Sequence, residues 1–334
     1  MSTAVPAGEA VRVAALRKTF RTRSGLVEAL RGVDLSVAAG QIYGFLGPNG
    51  AGKTTTLRIL TTLLAADSGE ALVAGLDVRR HPAAVRRRIG YVSQLGGADL
   101  EATGRENLIL QGRLYGMSAI ESERRADELA HLLDLSGFNH RIARSYSGGQ
   151  RRRLEVALGI MHRPEVLFLD EPTLGLDPQN RANLWDQLRG LRDLGTSILL
   201  TTHYLDEADQ LSDRLAIIDH GLVVAEGTPQ ELKQLYPAGV TITPKPGSAD
   251  LAVLAAALEG EALVREVAIE DGAIRVHVAE PTAGLAAVFE ALRTRGVDVL
   301  GVSLQEPSLD DVFLHHTGRS LRDAGEPVAA EALR

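Results

Sequence analysis

The stretch Gly47-Pro48-Asn49-Gly50-Ala51-Gly52-Lys53-Thr54 constrains this chain more than any other. It satisfies the spacing G-x-x-x-x-G-K-[ST]. It follows an apolar run, Gln41–Leu46, and precedes a segment in which Leu57, Leu60 and Leu64 recur at helical spacing, with Ile59 and Leu63 beside them. A strand, a glycine loop and a helix in that order form a phosphate-binding loop. The glycines let backbone N–H groups turn inward around a polyanion, at the positive end of the following helix. Lys53 supplies a point charge for β- and γ-phosphates, and the Thr54 hydroxyl a ligand for Mg2+.

The rest of the chain is read around that loop. Val166–Leu169 and Ile198–Leu200 have the length of buried parallel strands, and the helical stretch Gln179–Arg192 separates them. Alternating strands and helices predict an α/β fold: a P-loop NTPase core with a mostly parallel sheet. Val11–Phe20 and Ala29–Val37 add an N-terminal antiparallel β part, and Leu215–Asp219 with Leu222–Ala225 forms a closing hairpin through His220-Gly221. Residues of about 99–163 read as an inserted helical subdomain. Thr103-Gly-Arg-Glu106 has capping-box spacing before Leu108-Ile-Leu, and Leu129, Leu132 and Leu133 mark a second amphipathic helix. Pro237, Pro244 and Pro246 cluster in Tyr236–Gly247 and suggest a boundary between a nucleotide-binding domain, 1–236, and a small α+β domain, 240–317. In the latter, Leu263–Ile269 and Ile274–Val278 meet at Glu270-Asp-Gly272. A helix (Ala283–Arg295), a strand (Val297–Leu304) and a short helix (Leu309–His316) follow. The polar residues 318–334 read as a flexible tail.

Charge narrows the partners. Residues 1–239 carry 28 Lys+Arg and 28 Asp+Glu, whereas residues 240–334 carry 8 and 15 and account for the whole formal charge of −7. That balance argues against a nucleic-acid partner, and Arg86–Arg88 and Arg151–Arg153 read as solvated helix faces. No cysteine is present, which excludes disulfides and thiolate metal sites. No run approaches the ~18 apolar residues that cross a bilayer. The N-terminus lacks the basic start and apolar core of a secretory signal, and the absence of cysteine fits the cytosol.

Two further motifs carry chemistry. Val166-Leu-Phe-Leu-Asp170-Glu171 is a buried strand ending in two carboxylates. Asp170 is placed to hold Mg2+ through water, and Glu171 to accept a proton from an attacking water, a role worth ~10²–10⁴ in rate. Tyr146-Ser147-Gly148-Gly149-Gln150 opens a helix, with Ser147 lying 23 residues before Asp170. Its hydroxyl and the free N–H groups of a helix start make a second anion site. One chain with two phosphate-type sites and one loop lysine is explained by a head-to-tail pair. Each ATP is then held by one subunit's loop and the other's Ser147–Gln150.

Together these motifs resemble the nucleotide-binding subunit of an ABC transporter, over about residues 11–235. The family signature is Leu-Ser-Gly-Gly-Gln, and Tyr146 departs from it at the first place. The resemblance implies ATP and Mg2+ as cofactors and assigns further roles. Thr55 joins residues 47–54 in binding ATP, while Gln94, after Ile89-Gly-Tyr-Val-Ser93, senses Mg2+ and faces the membrane partner. His203, after Ile198-Leu-Leu-Thr-Thr202, contacts the γ-phosphate. Asp177, in Gly175-Leu-Asp-Pro178, lies at the subunit contact, and Phe20, 27 residues before Gly47, stacks on adenine. Glu306–Leu314 with Thr317-Gly-Arg, Thr103–Leu108 and Gly112–Gly116 resemble daunorubicin-resistance-type ATPases that serve ABC-2-type export permeases. Implied are a homodimer at the cytoplasmic face of the bacterial membrane and a separately encoded permease exporting a drug or hydrophobic metabolite. The alternative is a soluble ABC-type ATPase of DNA repair, translation or regulation. The 94 residues from Lys53 to Ser147 lack sustained heptads, and only one G-K-[ST] occurs.

Overall fold

Along Val166–Asp170 every residue is buried, and successive side chains face opposite ways. Val166 and Phe168 join one apolar cluster, with Tyr43, Phe45, Leu199 and Ile218. Leu167 and Leu169 join another, with Ile42, Ile198, Leu200 and Leu154. A sheet covered on both faces needs apolar residues at every position, which is why these strands lack alternation.

The computed structural model describes residues 8–317 apart from 24, 246, 248, 249, 271, 279 and 306. Residues 318–334, expected to be a flexible tail, lie outside them, as do Pro246, Asp271 and Glu306. The contacts divide the chain into two units, one running through Pro229 and the next starting at Gln230.

In chain order the first unit contains β1 (Glu9–Thr22), β2 (Gly25–Ala38), β3 (Ile42–Leu46), α1 (Lys53–Leu60), β4 (Ser68–Val73) and β5 (Leu76–Asp77). Next come α2 (Pro82–Arg88), β6 (Ile89–Val92), α3 (Gly104–Leu114), α4 (Ala119–Leu132), α5 (Gly148–Gly159), β7 (Val166–Asp170) and α6 (Pro178–Asp193). β8 (Ser197–Thr202), α7 (Leu205–Leu211), β9 (Arg214–Asp219) and β10 (Leu222–Gly227) complete it. One sheet, β2-β1-β4-β5, is antiparallel throughout. The other runs β10-β9-β3-β8-β7-β6 and is parallel except at the β9–β10 hairpin. The expected P-loop fold is therefore present, with its antiparallel N-terminal part and the helices α3 to α5 between β6 and β7.

α1 is shorter than its leucine spacing suggests. It ends at Leu60 because Thr62 turns left-handed (φ 65°) and the N–H groups of Leu63 and Leu64 both return to the Arg58 carbonyl. Leu64 leaves the helix yet still packs on the same core. The capping box at Thr103–Glu106 is present in both directions.

The second unit contains α8 (Pro229–Gln234), whose Pro229 still belongs to the first unit, then β11 (Ala238–Pro244), α9 (Leu251–Glu259), β12 (Val264–Glu270), β13 (Ala273–Val278), α10 (Pro281–Thr294), β14 (Val299–Gln305) and α11 (Leu309–Thr317). Its sheet, β12-β13-β11-β14, is antiparallel. Val240, Ile242, Ile274, Val276 and Val278 meet Leu254, Leu258, Val288 and Leu292 in an apolar interior.

Candidate functional site

Sheet order brings the chemistry to one edge. β3, β8, β7 and β6 lie side by side and parallel, so their C-terminal ends emerge together. There β3 runs into the glycine loop, β8 into His203, β7 into Asp170 and Glu171, and β6 into Ser93 and Gln94. Ligands of open α/β sheets bind outside such strand ends. The loop is tied down by Gly47 N–H donating to Thr202 O at 3.2 Å. Gly52, just before α1, has φ 114°, and a Cβ there would meet the Ala29 carbonyl at 2.7 Å. Only glycine fits that position. Gly47, Pro48 and Ala51 are buried, Asn49 and Gly50 exposed, and Thr55 half-buried on the first turn of α1.

Lys53 is 5% exposed and turned back over its own loop. Its Nζ donates to Gly47 O at 2.6 Å and Pro48 O at 3.1 Å and lies 3.5 Å from Glu171 Oε1. Burial lowers the ammonium's pKa, and the facing Glu171 and Asp170 carboxylates offset only part of that, so it stays below the usual lysine range. Thr54 Oγ1 and Thr201 Oγ1 both donate to Asp170 Oδ1, at 3.1 and 2.7 Å. A hydroxyl and a carboxylate so paired match the donor set of Mg2+, which takes one or two carboxylates and fills its remaining positions with water and phosphate.

Glu171 has a left-handed backbone (φ 47°), and its N–H donates to the carbonyl and hydroxyl of Thr201, both at 3.1 Å. Its Oε1 also lies 3.2 Å from His203 Nδ1, at ion-pair distance but outside hydrogen-bond alignment. Burial would raise the Glu171 pKa. The His203 ring and the Lys53 ammonium outweigh that and hold it below the ordinary carboxylate range. Lys53, Thr54, Asp170, Glu171 and His203 thus form one connected group.

The other sequence-predicted residues stand apart from that group. Ser147 caps α5. Its Oγ accepts from Gln150 N–H at 3.2 Å while Gln150 Oε1 accepts from Ser147 N–H at 3.1 Å. Tyr146, the variant signature residue, is buried and donates to Phe138 O at 3.0 Å. A side chain at Gly149 would collide with Asn180, whose N–H donates to Asp177 Oδ1 at 2.9 Å. Gly148–Gln150 and Asp177 are therefore neighbours through Asn180. Gln94 is exposed after β6, with no hydrogen bond to Thr54 or Asp170 among the described residues. Phe20 pairs with Val27 on the β1–β2 hairpin, and Lys18 Nζ lies 5.6 Å from its ring centroid.

One expectation fails. Arg151–Arg153 are not a solvated face: Arg152 is 7% exposed, and Arg151 and Arg153 are half-buried. Consecutive helical residues point about 100° apart, so one of three arginines at the start of α5 had to face the sheet. Arg153 donates to Asp134 instead. A second residue missed from sequence is Glu207 on α7, fully buried with Oε1 accepting from Trp185 Nε1 at 3.2 Å. The acidic run Asp206-Glu207-Ala-Asp209 gave no signal for it.

The sequence profile of the ABC transporter family matches residues 30–174, and that of the C-terminal domain of DrrA1-3-like ATP-binding proteins matches residues 227–317. The daunorubicin/doxorubicin resistance ATP-binding protein DrrA of Streptomyces peucetius is 45% identical over 317 residues, covering 92% of this chain and 95% of that protein. The chain belongs to the ABC transporter ATP-binding proteins. The doxorubicin resistance protein DrrA of Mycobacterium tuberculosis (strain CDC 1551 / Oshkosh) is 42% identical over 316 residues, covering 92% and 93%. Among solved structures, a dimeric ATP-binding cassette in a post-hydrolysis state with ADP and Pi superposes with a TM-score of 0.60. It is 26% identical over 65% of this chain and 98% of that one. As an ABC ATPase subunit, this protein binds nucleotide and hydrolyses ATP to drive transport through a separate membrane component. Among its own described residues, no helix is long and apolar enough to cross a membrane.

Proposed function

We propose that this ABC ATPase forms a homodimer around two Mg·ATP at the cytoplasmic face of the bacterial membrane, and powers an ABC-2-type permease that exports a drug or hydrophobic metabolite. The observation that carries the chemical part is the placement of Glu171 Oε1 between Lys53 Nζ and His203 Nδ1, beside the Thr54–Asp170 pair. Residues 47–55 hold the phosphates, and Phe20 stacks on the base. Thr54 and Asp170, with Gln94, would hold Mg2+, which supplies charge neutralisation at the phosphates.

Glu171 accepts the proton of the attacking water, and His203 orients the γ-phosphate. Lys53 is one of the two groups that depress the Glu171 pKa. Once its charge is engaged by a phosphate, that depression weakens and the raising effect of burial gains, which makes the carboxylate a better base. Ser147, Gly148, Gly149 and Gln150 of the second subunit close over the same nucleotide, and Asp177 lines the contact. The capping box, in which Ser147 Oγ accepts from Gln150 N–H and Gln150 Oε1 from Ser147 N–H, preorganises this end of α5 and leaves the Ser147 O–H and the N–H groups of Gly148 and Gly149 for the anion. Two bound ATP hold the dimer closed and hydrolysis reopens it, a two-state element the permease follows.

Resistance to daunorubicin or doxorubicin in the names of the relatives supports the export reading. The test is co-purification from membranes with the permease, followed by efflux from inverted vesicles. ATP should drive movement of an anthracycline across the bilayer, and the movement should stop in a Glu171→Gln preparation. Failure to associate with any membrane protein would contradict the export role.

A further inference from the structure

Four oxygens surround one guanidinium. Arg152 Nε donates to Pro172 O at 2.8 Å and Nη2 to Asp170 O at 3.0 Å, while Nη1 donates to Ser93 O and Glu155 Oε2, both at 2.9 Å. Both side chains of the Arg152–Glu155 pair are under a tenth exposed. The three carbonyls belong to chosen places: Asp170 and Pro172 flank Glu171, and Ser93 precedes Gln94. Glu155 fills the space a side chain at Gly96 would take, so the turn Ser93–Gly96 is gripped twice. All of this hangs from α5, whose first residues follow Ser147.

A buried ion pair is poor evidence for stability, since well-packed apolar residues of the same size often serve as well. Something other than stability must account for four aligned bonds. The Glu171 backbone supplies it. A non-glycine residue at φ 47° is strained, and such strain persists only where the surroundings over-determine it. Arg152 fixes the carbonyl on either side. A lysine, with donors at one point, cannot span three carbonyls set around it.

We propose that Arg152 is a positioning residue for hydrolysis. It locks the strained Glu171 peptide and the Ser93–Gly96 turn to α5, so that a ligand at the Ser147 end of the helix is registered at the same chain's Glu171 and Gln94. The proposal rests on the reading of Glu171 as the proton acceptor.

The test uses the full chain and two variants, Arg152→Lys and the paired Arg152→Met with Glu155→Leu. The first keeps the charge, and the second removes both charges together. Steady-state ATP hydrolysis and thermal melting are measured for each. The expected result is a kcat at least tenfold below the parent, with KM for ATP within threefold, in whichever variant melts within a few degrees of it. A loss of less than tenfold in a folded variant overturns the proposal, and so does a loss confined to KM. Failure of both variants to fold also overturns it, because Arg152 would then be a strut of the fold. A parent no faster than its Glu171→Gln variant overturns the underlying reading as well. A hydrolysing parent with unaffected Arg152 variants removes only the role assigned to Arg152.

Discussion

The interiors of the two units differ in kind. Every polar or charged residue buried as a whole, among the described residues, lies in the first unit, including Lys53, Arg152, Glu155, Asp170, Thr201 and Glu207. The core of the second unit is aliphatic, built from residues such as Val240, Ile242, Ile274, Val276 and Leu258. Burying a polar group costs free energy unless it is hydrogen-bonded. The first unit accepts that cost for whole residues, at the strand ends beside the phosphate loop and also inside helices, as at Asn107 and Ser122. No described residue of the second is polar and buried as a whole, although Thr241 Oγ1 is a buried atom there. Chemistry and stability are thereby separated along the chain, and substitutions should sort the same way.

The largest effect expected is in the first unit. Glu171→Gln should lower ATP turnover by ~10²–10⁴ while leaving the melting temperature near the parent's, measured by phosphate release and calorimetry. Parental turnover would remove Glu171 from its role. Next, Ile242→Ala in β11 should cost about 2–5 kcal/mol of stability through the lost burial and the cavity left. Denaturant unfolding should report that loss with KM for ATP unchanged. A parallel fall in ATP affinity would erase the separation of the two units.

The smallest effect concerns Glu207. Burial raises its pKa, and the Thr202 and Thr173 hydroxyls with Trp185 only partly offset that. The folded chain therefore keeps this proton to higher pH than the unfolded chain, whose carboxyl titrates near ~4.3. Stability falls as pH rises from that value through the raised one. Glu207→Gln has no proton to lose and should raise the melting temperature at pH 8 and leave it little changed at pH 4. An equal shift at both pH values would show that packing, not charge, sets the effect.

The sequence made the site's skeleton legible because strand ends carry it. The loop at 47–54, the apolar run into Asp170 and Glu171, and the capping pattern Ser147–Gln150 are local signals, each set by a few adjacent residues. The fold joins the first two through Thr54 and Thr201 to Asp170, and Thr201 gave no signal of its own. Three adjacent arginines look alike in a sequence, and only the packing of α5 on the sheet separates buried Arg152 from its neighbours. Likewise the end of α1 depends on a left-handed Thr62, which leucine spacing does not encode.

The head-to-tail pairing of two copies is tested most directly by mass. Glu171→Gln protein, mixed with Mg·ATP and weighed in solution by light scattering, should be twice the mass of the 334-residue chain, and adding Ser147→Arg to it should restore the single-chain mass. A Glu171→Gln chain that binds Mg·ATP yet keeps single-chain mass would contradict the account.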